Sequence, residues 1–243
     1  MKRHIPNAIT SLNLFSGSVG VVASLSGYWY LAFWMMIVAS IFDFFDGMTA
    51  RLLNVSSPIG KELDSLADMV SFGFLPAVIM FSMLSNSYNL PLLRFQGFLF
   101  IPYFAFFIAI MSAIRLAKFN LDVRQNENFI GLPTPANALF IGGLSLITHF
   151  LCHCSPISHF IGNAYTLLAL TFIFSILLVV ELPLLSLKFK NLNFRDNLWR
   201  YLLVFGSIII AITFVYWIYM AVSIIILYYI FLSIVWNMFK SKQ

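Results

Sequence analysis

Charge is what this chain lacks. Only 9% of its 243 residues are Asp, Glu, Lys or Arg, against roughly 25% in a soluble domain. With 61% hydrophobic residues, that scarcity excludes a water-soluble globule and points to an all-α integral membrane protein. Low-complexity tracts, internal repeats and a second soluble domain are absent too. Cysteine is limited to Cys152 and Cys154, in His149-Phe-Leu-Cys152-His153-Cys154-Ser-Pro-Ile-Ser-His159. That spacing matches no zinc pattern, and a Cys-x-Cys pair strains a shared tetrahedral site. An interfacial loop is expected there. Acid is scarcest of all, with nine residues against fourteen basic ones.

Eight apolar segments are present, at about 8–26, 28–53, 60–84, 95–119, 134–152, 159–187, 200–217 and 218–239. Each is near the ~20 residues that cross ~30 Å of hydrocarbon. The last 40 apolar residues are too long for one span. Two helices with a turn near Tyr216–Tyr219 fit, although no Pro or Gly marks that turn. The first segment follows Lys2-Arg3 as a signal peptide would. It has no convincing cleavage site and begins a series of spans, so it is read as a retained helix.

With the N-terminus in the cytoplasm, Lys2, Arg3, Arg51, Lys61, Arg115, Lys118, Arg124, Lys188, Lys190, Arg195, Arg200, Lys240 and Lys242 all fall inside, and Arg94 alone falls outside. This asymmetry follows the positive-inside rule and places both termini in the cytoplasm of a cytoplasmic (inner) membrane protein. The net charge of +5 therefore reads as topology signals and anionic-lipid contacts rather than a nucleic-acid surface.

Five of the nine acids crowd into one window, Asp43-Phe-Phe-Asp46-Gly47-Met-Thr-Ala50-Arg51 and Gly60-Lys-Glu62-Leu-Asp64-Ser-Leu-Ala-Asp68. Carboxylates near hydrocarbon are costly and need cations. On a helix, Asp43, Asp46, Gly47 and Ala50 share one face, and Gly60, Asp64 and Asp68 share another. Glu62 lies about 200° around from Asp64 and leaves the cluster. Asn54, Ser56, Ser57 and Pro58 form a short turn, so the two helices are antiparallel and their acidic faces meet below the cytoplasmic surface. Four converging carboxylates are balanced by two divalent ions, and oxygen ligands suit Mg²⁺, Mn²⁺ or Ca²⁺. Paired ions of this kind serve phosphoryl transfer. Small residues beside them let a ligand or another helix reach the backbone. A cation channel or transporter using the same carboxylates as an ion path is the alternative of another class.

The window resembles, at all eight fixed positions, the signature of the CDP-alcohol phosphotransferase family, D-x2-D-G-x2-A-R-x8-G-x3-D-x3-D. The resemblance implies a six-helix catalytic core over about residues 1–190, with residues 191–243 as an added C-terminal helix pair, and a homodimer. It also implies transfer of a phosphatidyl group from a CDP-linked lipid to an alcohol, with release of CMP. Asp64-Ser-Leu-Ala-Asp68-Met-Val-Ser-Phe72-Gly73, Arg115-Leu-Ala-Lys118-Phe-Asn120, Phe129-Ile-Gly131-Leu-Pro133-Thr-Pro135-Ala and the Lys-ended close at Lys188 and Lys190 look like the bacterial phosphatidylserine synthases. The implied substrates are then CDP-diacylglycerol and L-serine, with glycerol 3-phosphate or inositol phosphate as alternative acceptors. By the same resemblance, Asp43, Asp46, Asp64 and Asp68 hold two cations, Mg²⁺ or Mn²⁺, and Asp68 is also the general base. Gly47, Ala50, Gly60, Arg51 and Asn13, with Asn7 and Thr10 near it, would receive the CDP-lipid. Arg115, Lys118 and Lys188 are the cations available for the serine carboxylate. Asn120 would add a hydrogen bond, and Glu181, placed within the sixth segment, would meet the serine ammonium or pair with a Lys.

Overall fold

The computed structural model describes residues 4–55, 57–91, 94–95, 98–121, 129–151, 155–185 and 197–240. The chain starts as two long antiparallel helices, α1 (His4–Leu25) and α2 (Trp29–Leu52). The turn between them uses Gly27 at φ 81°, a left-handed conformation that favours glycine. The next turn runs through Asn54 at φ 50°. It ends on Ser57, whose hydroxyl accepts from Gly60 N (2.9 Å) with Pro58 at the first helical position. Cap and proline together fix where α3 (Pro58–Asp68) begins.

Directly after Asp68 the helix widens into a π segment, Met69–Phe74, and then resumes as α4 (Leu75–Ser85). Pro76 supplies the physical reason, because it has no N–H and its ring crowds the preceding turn. Here the chain also presses on α1. Ser71 Oγ donates to Asn13 O (3.1 Å), and a Cβ on Gly17 would collide with Ser71 Oγ. Two-residue strands β1 (Arg94–Phe95) and β2 (Phe98–Leu99) pair antiparallel, and a 3-10 turn leads into α5 (Phe107–Leu121). The fourth apolar segment is therefore helical only from Ile101 onward.

Strand β3 (Phe129–Ile130) precedes α6 (Thr134–Phe150), followed by short α7 (Pro156–Ile161) and α8 (Ala164–Val179). The sixth segment was expected to stay helical to about 187. Instead, α8 stops at Val179 and Val180 turns extended. Pro183 and Leu184 form β4, which pairs with β3. Helices α9 (Leu198–Thr213) and α10 (Ile218–Lys240) are separated by a 3-10 turn at Val215–Trp217, within two residues of the expected position.

Each of the eight apolar segments contains a helix, and among the described residues five helical rods are long and apolar enough to cross a membrane: His4–Leu25, Trp29–Leu52, Pro58–Ser85, Ile101–Leu121 and Met220–Phe239. The core gathers Met36, Phe72, Leu75, Ile79, Ile108, Ile141 and Leu167 between α2, α4, α5, α6 and α8. Outward, Phe15, Val22, Phe44, Ile176, Ile212 and Phe231 are exposed. An apolar outer surface over a packed interior is the pattern of helices dissolved in lipid.

Candidate active site

The start of α1, the end of α2 and the start of α3 meet at one end of the bundle, where α1 packs on both other helices. Between them lies a cavity of about 250 Å³, walled by Asn7, Thr10, Asp46, Gly47, Ala50, Gly60 and Asp64 among others. The end of α5 and the start of α6 share this end of the molecule, as the contacts of Asn120 and Arg115 below require.

Asp43, Asp64 and Asp68 bring one carboxylate oxygen each to within 4.8 Å of one another. Asp46 stands beside them on the cavity wall. It is 6% exposed, and its Oδ2 has no hydrogen-bond partner among the described residues. The carboxylate oxygens of Asp43 and Asp68 are thus within 4.8 Å of each other. Ionised together at that distance they repel, so the arrangement calls for a cation between them or a shared proton. The orphaned Asp46 oxygen and the hard, all-oxygen donor set make these residues a fitting site for divalent cations such as Mg²⁺ or Mn²⁺.

Two glycines of the motif act differently. A Cβ on Gly47 would meet nothing within 4 Å, whereas one on Gly60 would lie 2.9 Å from both Asn7 Oδ1 and Ser57 Oγ. Gly47 therefore leaves room for something that is not protein, and Gly60 lets α1 and the α3 cap close up. Ala50 lines the same wall. Arg51 is exposed and its Nε donates to Gly47 O (3.0 Å), so its guanidinium lies back along α2 rather than on the cavity wall.

Asn13 departs from its expected place. It does not line the cavity. It is fully buried, and its Nδ2 donates to Asp68 Oδ1 at 3.3 Å. Thr10 and Asn7, about one and two turns earlier, line the cavity instead. Arg115 is 8% exposed, and its Nη1 donates to Thr134 Oγ1 (3.3 Å). Its guanidinium sits 5.8 Å from the Phe119 ring centre. No partner reaches its Nε among the described residues.

Asn120 does not join Arg115. Its Nδ2 donates to Ser65 Oγ (2.8 Å) and its carbonyl accepts from Lys61 Nζ (3.3 Å), which ties α5 to α3. Lys118 is exposed. Glu181 is exposed and lies past the end of α8, not within a helical span. Lys188, Cys152 and Cys154 lie outside the described residues. Of the nearby histidines, His149 packs edge-on to Trp29, and His159 stacks on Tyr88.

Two features of the site escaped the sequence reading. The π segment next to Asp68 had a signal in Pro76, and Thr134 as the partner of Arg115 had none beyond its place at a helix start.

Comparison with known proteins bears on the whole arrangement. The family model for CDP-alcohol phosphatidyltransferase matches residues 3–177. A protein of Helicobacter pylori (strain ATCC 700392 / 26695) named CDP-diacylglycerol–serine O-phosphatidyltransferase is 28% identical over 243 residues, covering 97% of this chain and 96% of its own. The Bacillus subtilis (strain 168) protein of the same name is 37% identical over 132 residues, 54% of this chain and 70% of its own. The archaetidylserine synthase of Methanothermobacter thermautotrophicus is 31% identical over 145 residues, 58% of each chain. All eight fixed residues of the motif lie inside the matched region, and this chain belongs to the CDP-alcohol phosphatidyltransferase family.

Proposed function

We propose that this protein transfers the phosphatidyl group of CDP-diacylglycerol to L-serine, giving phosphatidylserine and CMP. The observation that carries the reaction type is the convergence of Asp43, Asp64 and Asp68 within 4.8 Å, beside a cavity whose glycine wall at Gly47 is left open. The choice of serine is supported by relatives with that acceptor in their names, including two Helicobacter proteins matching across 97% of this chain.

In this reading CDP lies in the cavity, with its diphosphate over Gly47 and Ala50 and toward the aspartates. Arg51, exposed and with its Nε donating to Gly47 O, would help neutralise the phosphate charge. Asp43, Asp46, Asp64 and Asp68 would hold the divalent cations, which when bound neutralise the diphosphate and the charge developing on the departing CMP.

Asp68 is the general base. A serine hydroxyl is a weak nucleophile near neutral pH, and a carboxylate within hydrogen-bond reach takes its proton as attack develops. The serine oxygen forms a bond to the phosphorus that carries diacylglycerol. The bond from that phosphorus to the bridging oxygen breaks, and the electron pair leaves with CMP. Asn13 holds Asp68 by one oxygen, which aims the other. Arg115, buried and with Nε unpartnered among the described residues, is the cation for the serine carboxylate. In this reading the amino acid spans from the base to the guanidinium. The site would open to the cytoplasm, with both termini on that side, as the basic residues require.

Purified protein given labelled CDP-diacylglycerol and a panel of alcohols tests this directly. Serine is expected to release CMP and form phosphatidylserine, and excess EDTA should abolish the reaction until Mg²⁺ or Mn²⁺ is restored. CMP release with glycerol 3-phosphate and none with serine would refute the acceptor. Cation flux with no nucleotide dependence would refute the enzyme.

A further inference from the structure

The cavity wall holds a cation that the eight fixed positions of the motif do not include. Lys61 lines the cavity together with Asp46 and Asp64, and among the described residues it is the only cation that does. Arg51, the cation of the motif, is absent from that wall and turns its Nε to Gly47 O. The other charged groups of the wall are acids, which repel a diphosphate, so the placement of this one ammonium matters.

Lys61 Nζ donates to the backbone carbonyl of Asn120 (3.3 Å), next to the last residue of α5. Carbonyls there have no partner within their own helix, and the negative end of the helix dipole lies among them. Asn120 Nδ2 donates to Ser65 Oγ (2.8 Å), and Ser65 Oγ donates in turn to Lys61 O (3.2 Å). These bonds close a ring that holds both ends of Lys61, its backbone and its ammonium, between α3 and α5. A lysine side chain is otherwise flexible, and fixing it costs rotamer entropy. Here the ring restrains it before a ligand arrives. An ammonium has three N–H bonds. One is committed to Asn120 O, which leaves two for a ligand in the cavity.

At about 1.5 Å rise per residue, Lys61 stands about 4.5 Å from Asp64 and about 10 Å from Asp68 along α3, on the side of the helix start. The phosphorus under attack belongs near Asp68, so the phosphate that leaves with cytidine lies farther out, toward Lys61. We propose that Lys61 binds the phosphate of the cytidylate half and neutralises the charge it gains as the bridging oxygen takes the electron pair and departs. The proposal rests on the reading of the cavity as the CDP site, and not on serine as the acceptor. In the diphosphate that phosphate carries a single negative charge, and in free CMP a second one develops. The ammonium therefore holds the leaving group more strongly than the substrate, which is the condition for lowering the barrier.

The test uses the full chain in mixed micelles with Mg²⁺. Binding of labelled CMP is read by equilibrium dialysis, and turnover is read as CMP release at varied CDP-diacylglycerol and varied serine. Lys61→Met keeps the stem and removes the charge. It should weaken CMP binding about ten- to a hundredfold and lower kcat/KM for CDP-diacylglycerol at least about tenfold, while the KM for serine stays within about twofold. Lys61→Arg keeps a cation and should bind CMP within about fivefold of wild type. Ser65→Ala opens the same ring without removing the ammonium, and should leave CMP binding within about threefold. Unchanged CMP binding in Lys61→Met, or an equal loss in Ser65→Ala, would overturn the proposal and make Lys61 only a tie between α3 and α5. Lys61 is exposed, and if Lys61→Met does not accumulate folded, Lys61→Gln is read by the same comparison. Failure of the CDP reading shows separately, in the wild type. A wild type that neither binds CMP nor releases it with any alcohol overturns both, whereas one that does both and is matched by Lys61→Met overturns the role of Lys61 alone.

Discussion

On the cavity side of the aspartates the walls are bare. Gly47 presents no side chain, and among the described residues nothing lies within 4 Å of where its Cβ would be, while Ala50 and Gly60 keep the neighbouring surface low. On the opposite side the same cluster is gripped: Asp68 takes a bond from the fully buried Asn13, and Arg115 is held by Thr134 with Phe119 across its face. The difference teaches which half has to admit a large ligand and which has to hold reacting atoms still. A nucleotide diphosphate needs room and backbone. A base and a small acceptor need fixed positions, because misplacement of about 1 Å can cost on the order of 10² in rate.

The largest expected effect breaks the gripped side. Asp68→Asn keeps size and can still lie beside Asn13, but it cannot take a proton. CMP release should fall by about 10² to 10⁴, with binding of CDP-diacylglycerol partly retained, as measured by equilibrium dialysis of the labelled lipid in micelles. Wild-type turnover in this variant would remove Asp68 as the base.

The bare side is broken by one methyl group. Gly47→Ala should raise thermal stability by about 0.5–1 kcal/mol, since alanine is the better helix former and its Cβ meets no protein atom. The same substitution should raise the KM for CDP-diacylglycerol several-fold by occupying ligand space. Gly60→Ala should do the reverse to stability, lowering it by about 1–3 kcal/mol as the methyl presses on Asn7 and Ser57. If the two variants melt alike, the distinction between ligand space and packing space is wrong.

Much of the bare side was legible in the sequence. Spacings of three and four put Asp43, Asp46, Gly47 and Ala50 on one face and Gly60, Asp64 and Asp68 on another, and the turn through Asn54 and Ser57 made the two helices neighbours. Helical periodicity fixes direction around an axis, however, and not depth. It did not separate Asp46 and Asp64, which face the cavity, from Asp68, which lies behind it. The grip itself was hidden, because Asn13 and Asp68 are 55 residues apart and meet only after α1 has packed on α3 and the π segment. Nor did periodicity reveal the extended chain that follows α8. Leu182, Leu184 and Leu185 continue an apolar run, and Pro183 alone signals that the run has left the helix. Glu181 was placed inside a span for that reason.

The smallest effect sharpens the comparison most. Asn13 could serve the cavity indirectly or serve Asp68 alone, and Asn13→Ala distinguishes these. Removing the Nδ2 donor takes from Asp68 Oδ1 its hydrogen bond to the Asn13 amide, worth about 0.5–1.5 kcal/mol. That corresponds to a fall in kcat of about two- to tenfold. Because Asn13 is fully buried and absent from the cavity wall, the KM for CDP-diacylglycerol should not move. A raised CDP-diacylglycerol KM with unchanged kcat would put Asn13 on the bare side after all, and the base would then be aimed by Asp43 and its cations rather than by α1.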